Sequence, residues 1–147
     1  GDSINDIIWS IHPQNDSIER IILRMKELAA EMLEPNEIAY QIDFDNQLTQ
    51  LDIPMQHRRH LFMLYKEALN NMIKYAGCKN AFLSIQVINK NLVMKIEDDG
   101  IGFDMANHKP GNGLINMQQR AAEMKAELII TALPGKGCSI ELRYPLK

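Results

Sequence analysis

The sequence has few of the features that mark specialised classes of protein. Its 147 residues include only two cysteines and one tryptophan, and Cys78 and Cys138 are far apart and match no metal-binding or redox spacing. No apolar run approaches the roughly 18 residues that a membrane helix needs, and the N-terminus has neither the basic nor the apolar stretch of a secretory signal. We therefore expect two free, buried thiols in a reducing compartment and a cytoplasmic location.

Basic residues also do not outnumber acidic ones. Lysine and arginine number 16 against 19 acidic residues, which gives a net charge of −3. A mildly acidic chain has no bulk electrostatic attraction for nucleic acid or for an anionic membrane surface. With 46% hydrophobic and 24% charged residues, the composition is that of a soluble globular domain and excludes a disordered tail. Nucleic acid is therefore not an expected partner.

The pattern of apolar residues predicts an α+β fold. The chain does not begin with methionine, and we expect it to be a piece of a longer protein. Helical periodicity predicts a helix over 3–11, which ends before Pro13, and a second helix over 17–33. The later periodicities predict, in chain order, a strand over 37–44, a helix over 53–76 capped by Gly77, strands over 81–88 and 92–97, a loop over 98–112, a helix over 113–125, and strands over 127–133 and 138–144. A two-layer sandwich fits this order best, with helices on one face of a mixed, mainly antiparallel sheet.

The helix predicted over 53–76 carries the first candidate site. Glu67, Asn71 and Lys74 are spaced by four and three residues, so they share one stripe of that helix. A carboxylate can orient or deprotonate a nucleophile, an amide oxygen is a hard ligand suited to Mg²⁺, and an ammonium group can neutralise a phosphate. The alternative is a solvated helix face with a Glu/Lys pair.

Two glycine-containing loops carry the other candidates. Asp98 directly follows a predicted strand, where it could accept a hydrogen bond from an exocyclic amine, and Gly100 and Gly102 allow close backbone approach or positive φ. An acidic turn is the alternative, and a calcium loop is a poor one because the ligand spacing of an EF-hand is missing. Gly111 and Gly113 precede a predicted helix whose free N–H groups could meet a phosphate, although a plain helix start would look the same.

The order of these candidate motifs along the chain is more specific for one kind of protein than any single motif is. A helical E-x-x-x-N, a strand followed by D-x-G-x-G, a G-x-G-L before a helix and a hairpin glycine all lie within 67–137. This order resembles the GHKL family of ATP-binding domains, and specifically the catalytic domain of bacterial two-component sensor histidine kinases. Residues 67–76 resemble its N box, 98–103 its G1 box and 111–114 its G2 box. The resemblance extends over 37–147.

The resemblance implies a role for each candidate residue. Asp98 would accept a hydrogen bond from the adenine amino group of ATP, and Asn71 would hold the Mg²⁺ that bridges the phosphates. Glu67 would orient the attacking histidine or act as a base, and Lys74 would lie near the phosphates. The remaining residues of the two loops would shape the pocket and its lid over 104–112, namely Gly100, Gly102, Gly111, Gly113 and Leu114.

A narrower resemblance concerns the subgroup of nitrate and membrane-fluidity sensors. Gly113-Leu114 followed by Met117 and Arg120 matches the helix of that subgroup, and the N-terminal residues resemble the end of a dimerisation helix. The chain would then divide into the end of that helix with a linker helix, over 1–34, and an ATP-binding catalytic domain, over 35–147. The parent would be a homodimeric, membrane-anchored histidine protein kinase that relays phosphate to a response regulator.

None of the four histidines has the context of a phosphoacceptor. His12 precedes a proline, His57 and His60 adjoin arginines on a predicted helix and are expected at its surface, and His108 lies in the predicted lid. We therefore expect the acceptor histidine to lie on a helix absent from this chain. The chain alone would bind ATP without phosphorylating itself, and it could be a monomer.

Two alternatives remain on the same fold. A serine protein kinase similar to anti-sigma factors would share the first two motifs, but it would not be expected to carry the helices over 3–33 or the Gly113-to-Arg120 pattern. A non-catalytic nucleotide-binding regulator would not need to retain Glu67 and Asn71. Gyrase-like and chaperone-like ATPases are disfavoured because they need a further transducer domain.

Overall fold

The computed structural model describes residues 17–102 and 112–147. The helix expected over 3–11, and with it the proposed end of a dimerisation helix, lies outside these residues. The described helices are α1 (Ile18–Leu33), α2 (Met55–Asn71) and α3 (Asn112–Glu123), and the strands are β1 (Ala39–Phe44), β2 (Asn80–Ile88), β3 (Asn91–Asp98), β4 (Glu127–Ala132) and β5 (Cys138–Pro145). No helix in these two ranges is long and apolar enough to cross a bilayer.

The five strands form one mixed sheet in the order β1-β2-β3-β5-β4. β1 pairs with β2 in parallel, because α2 crosses over between them, and the other neighbouring pairs are antiparallel. Asp98 at the end of β3 lies opposite Ala81 of β2 and Cys138 of β5. The predicted α+β class, with a mixed and mainly antiparallel sheet, is confirmed.

The helices cover one face of the sheet and share a single core with it. The Tyr65 hydroxyl of α2 donates a buried 2.7 Å hydrogen bond to the carbonyl of Met25 in α1, so the one polar atom of this large side chain is paired. Each large apolar side chain buried in this way contributes about 1.5–3 kcal/mol. The most completely buried side chains come from every layer: Met25, Leu33, Leu48, Leu64, Tyr65, Leu69, Leu83, Met94, Met117, Met124 and Leu142.

Two short helical turns depart from the predicted pattern. A 3₁₀ turn over Asn46–Gln50 lies in a segment expected to be loop, where the Asp45 carboxylate caps it by accepting from the Gln47 N–H at 2.9 Å. The helix expected to run as α-helix to Ala76 instead changes after Asn71 into a π-helical turn over Met72–Ala76. Gly77 ends this turn at φ 58°, as predicted for a left-handed cap.

The turn between β2 and β3 and the free state of both cysteines agree with the sequence predictions. Asn89 and Lys90 both have positive φ, 50° and 64°, which fits a two-residue hairpin turn between β2 and β3. Cys78 and Cys138 are free thiols, as expected, although both are half-buried rather than buried. Burial and the nearby Asp98 carboxylate raise the pKa of each thiol to about 11. Both are therefore protonated and poorly nucleophilic at neutral pH.

Candidate functional site

The predicted clusters meet at one end of the sheet, around the C-terminal end of α2. The loop after β3 lies against the π-helical turn. The two are joined by a hydrogen bond in which the Ile101 N–H donates to the Ala76 carbonyl at 2.8 Å. The first turn of α3 packs against the preceding part of α2, where Gly113 lies beside Glu67 and Asn71. Segments distant in sequence therefore come together around this end of α2.

Asp98 is held at the end of β3 by backbone donors on both sides. Its Oδ1 accepts the Gly100 N–H at 2.8 Å, and the carboxylate also accepts the N–H of Cys138. The group is half-buried, and this burial raises the pKa of Asp98 above its usual value despite those two hydrogen bonds. A fixed, partly desolvated carboxylate is suited to recognise a hydrogen-bond donor on a ligand.

Asp99 is adjacent but has a structural role. Its Oδ1 accepts the N–H groups of Lys79 and Asn80 at 2.9 and 2.8 Å, and its Oδ2 accepts the Asn80 amide at 2.8 Å. These hydrogen bonds lower the pKa of Asp99, and the bond from the Asn80 side chain has the largest effect. The exposed carboxylate of Asp99 fastens the end of β3 to the start of β2.

The glycines after Asp98 allow three loops to pack closely. A Cβ added to Gly100 would overlap the carbonyl oxygen of Ala76, and one added to Gly102 would overlap that of Leu133. Gly102 also has φ +65°, a conformation that residues with a side chain rarely adopt. The Gly135 N–H donates to the Ile101 carbonyl and joins the β4–β5 turn to this loop. The glycines fix the backbone around Asp98.

Glu67 and Asn71 converge on Gly113 at the start of α3. A Cβ added to Gly113 would lie 2.6 Å from Oε1 of Glu67 and 2.9 Å from Oδ1 of Asn71. A larger residue at this position would therefore require the Glu67 and Asn71 side chains to shift. Their half-buried oxygens lie next to the positive end of the α3 dipole. The neighbouring Leu114 packs against the core.

Lys74 is separated from this group. It lies in the π-helical turn that follows the α-helical segment of Glu67 and Asn71. Its side chain is exposed, and it makes no hydrogen bond or ion pair within residues 17–102 and 112–147. The structure brings Glu67, Asn71 and Gly113 together but leaves Lys74 outside that contact.

His57 and His60 do not have the surface positions expected from the sequence. Both are half-buried, and each bonds to another element. His57 Nδ1 and the Tyr144 hydroxyl are 2.7 Å apart. Arg120 of α3 donates to His60 Nδ1 at 3.2 Å, and His60 Nε2 lies 2.7 Å from a Glu123 carboxylate oxygen.

The contact between His60 and Arg120 was not predicted from the sequence. The available signal was the seven-residue spacing from His60 to Glu67 on α2 and from Gly113 to Arg120 on α3. Seven residues are two helical turns, so each pair lies on one face. Gly111, His12, His108 and most of the expected lid lie outside the described residues.

Comparison with known proteins identifies the family. Residues 56–147 match the model of the histidine kinase-, DNA gyrase B-, and HSP90-like ATPase family. The chain belongs to this ATPase family. The match runs from α2 to the end of the chain, so it includes the Glu67–Asn71 segment and Asp98, and it supports ATP as the ligand.

The curated relatives that match this ATPase domain include sensor kinases. The sensor histidine kinase LiaS of Bacillus subtilis is 28% identical over 123 residues, which cover 83% of this chain and 34% of LiaS. The sensor protein VraS of Staphylococcus aureus is 31% identical over 105 residues, which cover 69% of this chain and 29% of VraS. The chain spans about a third of the length of these relatives. The resemblance to sensor histidine kinases is confirmed, and the serine protein kinase alternative is not favoured.

Solved structures with the same fold include two histidine kinases. The kinase domain of the blue-light activated histidine kinase from Erythrobacter litoralis has a TM-score of 0.73 at 20% identity, covering 86% of this chain and 61% of that one. The Acinetobacter baumannii histidine kinase AdeS has a TM-score of 0.73 at 16% identity, covering 98% and 77%. At these identities the comparison establishes the fold of the ATPase domain.

Proposed function

We propose that this chain is the ATP-binding portion of a sensor histidine kinase. It would bind Mg-ATP and donate the γ-phosphoryl group to a histidine on a dimerisation helix outside this chain. The observation that carries the proposal is the convergence of Glu67 and Asn71 on Gly113 at the start of α3, beside the loop of Asp98. Phosphoryl transfer depends mainly on positioning and charge neutralisation, and this group can supply both.

Asp98 is the proposed adenine-recognition residue. The exocyclic amine of adenine donates to an acceptor, whereas guanine has a carbonyl oxygen at the same place. Two acceptors facing each other in a partly desolvated pocket would both lose hydrogen bonds. Since Asp98 is half-buried and fixed by Gly100 and Cys138, it would select adenine over guanine.

Asn71 and Glu67 are the proposed phosphate-end residues. Asn71 provides an amide oxygen, a hard donor of the kind that Mg²⁺ takes alongside waters and substrate phosphates. When bound, the metal would neutralise phosphate charge. Glu67 would accept the N–H of the acceptor imidazole, so that the lone pair of its other nitrogen points at the γ-phosphorus. As the N–P bond forms and the bond to the bridging oxygen breaks, ADP leaves and Glu67 can take the N–H proton.

The remaining assignments follow from the same proposal. Lys74 is exposed and could reach the phosphates from the rim, and Gly111 and Leu114 would border the lid. Residues 1–34 would form the C-terminal end of the dimerisation helix and a linker helix, and 35–147 would form the ATP-binding catalytic domain. The parent would be a membrane-anchored homodimer that passes phosphate to a response regulator, with this portion on the cytoplasmic side.

A transfer assay with an added acceptor tests the proposal. The chain is mixed with labelled ATP, Mg²⁺ and a separately prepared dimerisation domain that carries a phosphoacceptor histidine. We expect acid-labile label on the acceptor and none on the chain alone. Glu67→Gln should lower transfer at least a hundredfold, as expected for loss of a group that acts on the nucleophile.

The control replaces a carboxylate far from the site. Glu141 lies on β5, where it pairs with Lys95 and Arg143, and Glu141→Gln should transfer at the wild-type rate. Stable phosphohistidine on the chain alone would contradict the proposed architecture. Acid-stable label on serine would favour the serine protein kinase instead.

A further inference from the structure

Two contacts between α2 and α3 lie two helical turns apart. At the first, Gly113 is so close to Glu67 and Asn71 that an added Cβ would be 2.6 Å from Oε1 of Glu67. At the second, Arg120 Nη1 is 3.2 Å from His60 Nδ1. Positions 113 and 120 lie on one face of α3, about 10.5 Å apart along its axis. Because a helix of this length is stiff, a movement of α3 at one contact also displaces it at the other.

His60 makes the second contact with both nitrogens of its ring. A guanidinium has donors and no acceptor, so His60 Nδ1 must accept from Arg120 through its lone pair. The proton of the neutral ring is then on Nε2, which donates to a Glu123 carboxylate oxygen 2.7 Å away. We call this contact of His60 with Arg120 and Glu123 the α2–α3 clasp. It is complete only while His60 is uncharged.

His57, one turn earlier on α2, shows why this sensitivity to protonation is specific to His60. His57 Nδ1 lies 2.7 Å from the Tyr144 hydroxyl, which can donate or accept and therefore suits either form of the ring. Protonation of His60 would instead place a ring N–H against an N–H of Arg120 and add a second positive charge. The bond to Arg120 would be lost, whereas Nε2 could still donate to Glu123.

The surroundings of His60 favour its neutral form. The charged and titratable groups that act on it within the described residues are Arg120 and Glu123 on α3 and Arg59 and His57 on α2. Burial is the main reason that the pKa of His60 is lowered, and the two arginines and His57 act in the same direction. Glu123 acts in the opposite direction without reversing the effect. The clasp is therefore complete at pH 7 and above and is lost in more acidic solution.

We propose that His60 is a pH-sensitive device that holds α3 on α2 while it is uncharged, and that its protonation loosens α3 and weakens nucleotide binding at the first contact. This inference rests on the proposed function, in which Glu67 and Asn71 lie at the phosphate end of the ATP site. Once Arg120 is released, the spacing of Gly113 from these two residues is less restrained. A less preorganised site binds its ligand less tightly, because binding must then order it.

An NMR titration of His60 with and without Mg·ADP tests the coupling. If protonation weakens nucleotide binding about fivefold, the bound nucleotide must weaken proton binding by the same factor. We therefore expect the pKa of His60 to be about 0.7 lower in the Mg·ADP complex than in the free chain. The negative charge of the bound nucleotide would raise this pKa, so it cannot produce the expected decrease.

A second measurement follows Mg·ADP affinity by calorimetry over a range of pH. ADP itself titrates, so the informative quantity is the ratio of the variant affinity to the wild-type affinity. His60→Gln cannot be protonated, so its ratio should be constant above the pKa of His60 and rise about fivefold below it, since only wild type then loses the clasp. His57→Gln is the matched control, and its ratio should not change with pH.

Arg120→Gln tests the clasp itself. The variant removes a nearby positive charge and the bond that protonation breaks, so the pKa of His60 should rise and should no longer fall when Mg·ADP binds. Arg143→Gln removes an arginine of β5 that pairs with Glu127 and Glu141, and it should behave as wild type in both respects. If Arg120→Gln does not fold, the pH profile of His60→Gln alone decides the outcome.

Failure of the coupling and failure of the proposed function give different results. A pKa of His60 that Mg·ADP does not change, or a ratio for His60→Gln that is flat with pH, would overturn the coupling while nucleotide binding stands. Wild type that binds no Mg·ADP at any pH would contradict the proposed function and the coupling together.

Discussion

Asp98 and Asp99 are adjacent residues whose carboxylates are in different environments. Asp98 is half-buried, and burial raises its pKa, whereas Asp99 is exposed and hydrogen bonds from Asn80 and Lys79 lower its pKa. A carboxylate engaged by three donors has little capacity left for a ligand. The motif order predicted Asp98 as the recognition residue, but the hydrogen bonds that occupy Asp99 could not be predicted, because no local pattern shows which carboxylate neighbouring strands will bond.

Asn71 gives a prediction at the same scale. Asn71→Ala removes the proposed amide ligand, so Mg·ADP affinity should fall about tenfold, equivalent to about 1.4 kcal/mol, while metal-free ADP affinity changes less. Calorimetric titration with and without Mg²⁺ measures both affinities. Asn70→Ala is the matched control, because neighbouring residues on a helix do not face the same way. Equal losses with and without Mg²⁺ would indicate a packing role for Asn71.

Helix α2 combines features that local sequence predicts and features that it does not. Its apolar face and its end at Gly77 follow from periodicity and glycine chemistry. The π-helical turn over Met72–Ala76 was not predicted, and its last carbonyl accepts from Ile101, which is distant in sequence. The half-buried state of His60 likewise depends on α3. Contacts between elements determine these features.

The contact between α2 and α3 should make stability depend on pH. The pKa of His60 is lower in the folded chain than its usual 6.5, so the folded state binds fewer protons than the unfolded state in that window. The unfolding free energy should be unaffected by this group above pH 6.5 and fall as the pH decreases, by at most about 1.4 kcal/mol per pH unit.

Urea unfolding at a series of pH values checks this expectation. His60→Gln cannot be protonated, so its unfolding free energy should fall less steeply below pH 6.5 than that of wild type. Identical slopes for the two proteins would show that His60 does not carry the pH dependence.

At the scale of the whole molecule, the proposed nucleotide site depends on the order of the strands. Asp98 lies between Ala81 and Cys138 because β3 pairs with β2 and β5, and α3 returns over α2 to place Gly113 beside Glu67. The class of fold and most of these residues could be predicted from the spacing of motifs. The separation of Lys74 could not be predicted, since it depends on the π-helical turn. The His60–Arg120 contact could not be predicted either, since it depends on how α2 and α3 pack.

The most direct test of the account is calorimetry of ADP and GDP with wild type, Asp98→Ala and Asp99→Ala. A hydrogen bond to a charged group contributes about 1.5–3 kcal/mol, so Asp98→Ala should weaken ADP binding by roughly 10- to 100-fold. Asp99→Ala should keep the preference for ADP over GDP and lose about 1 kcal/mol of stability. GDP binding to wild type as tightly as ADP, or full ADP affinity in Asp98→Ala, would contradict the assignment of Asp98 to adenine.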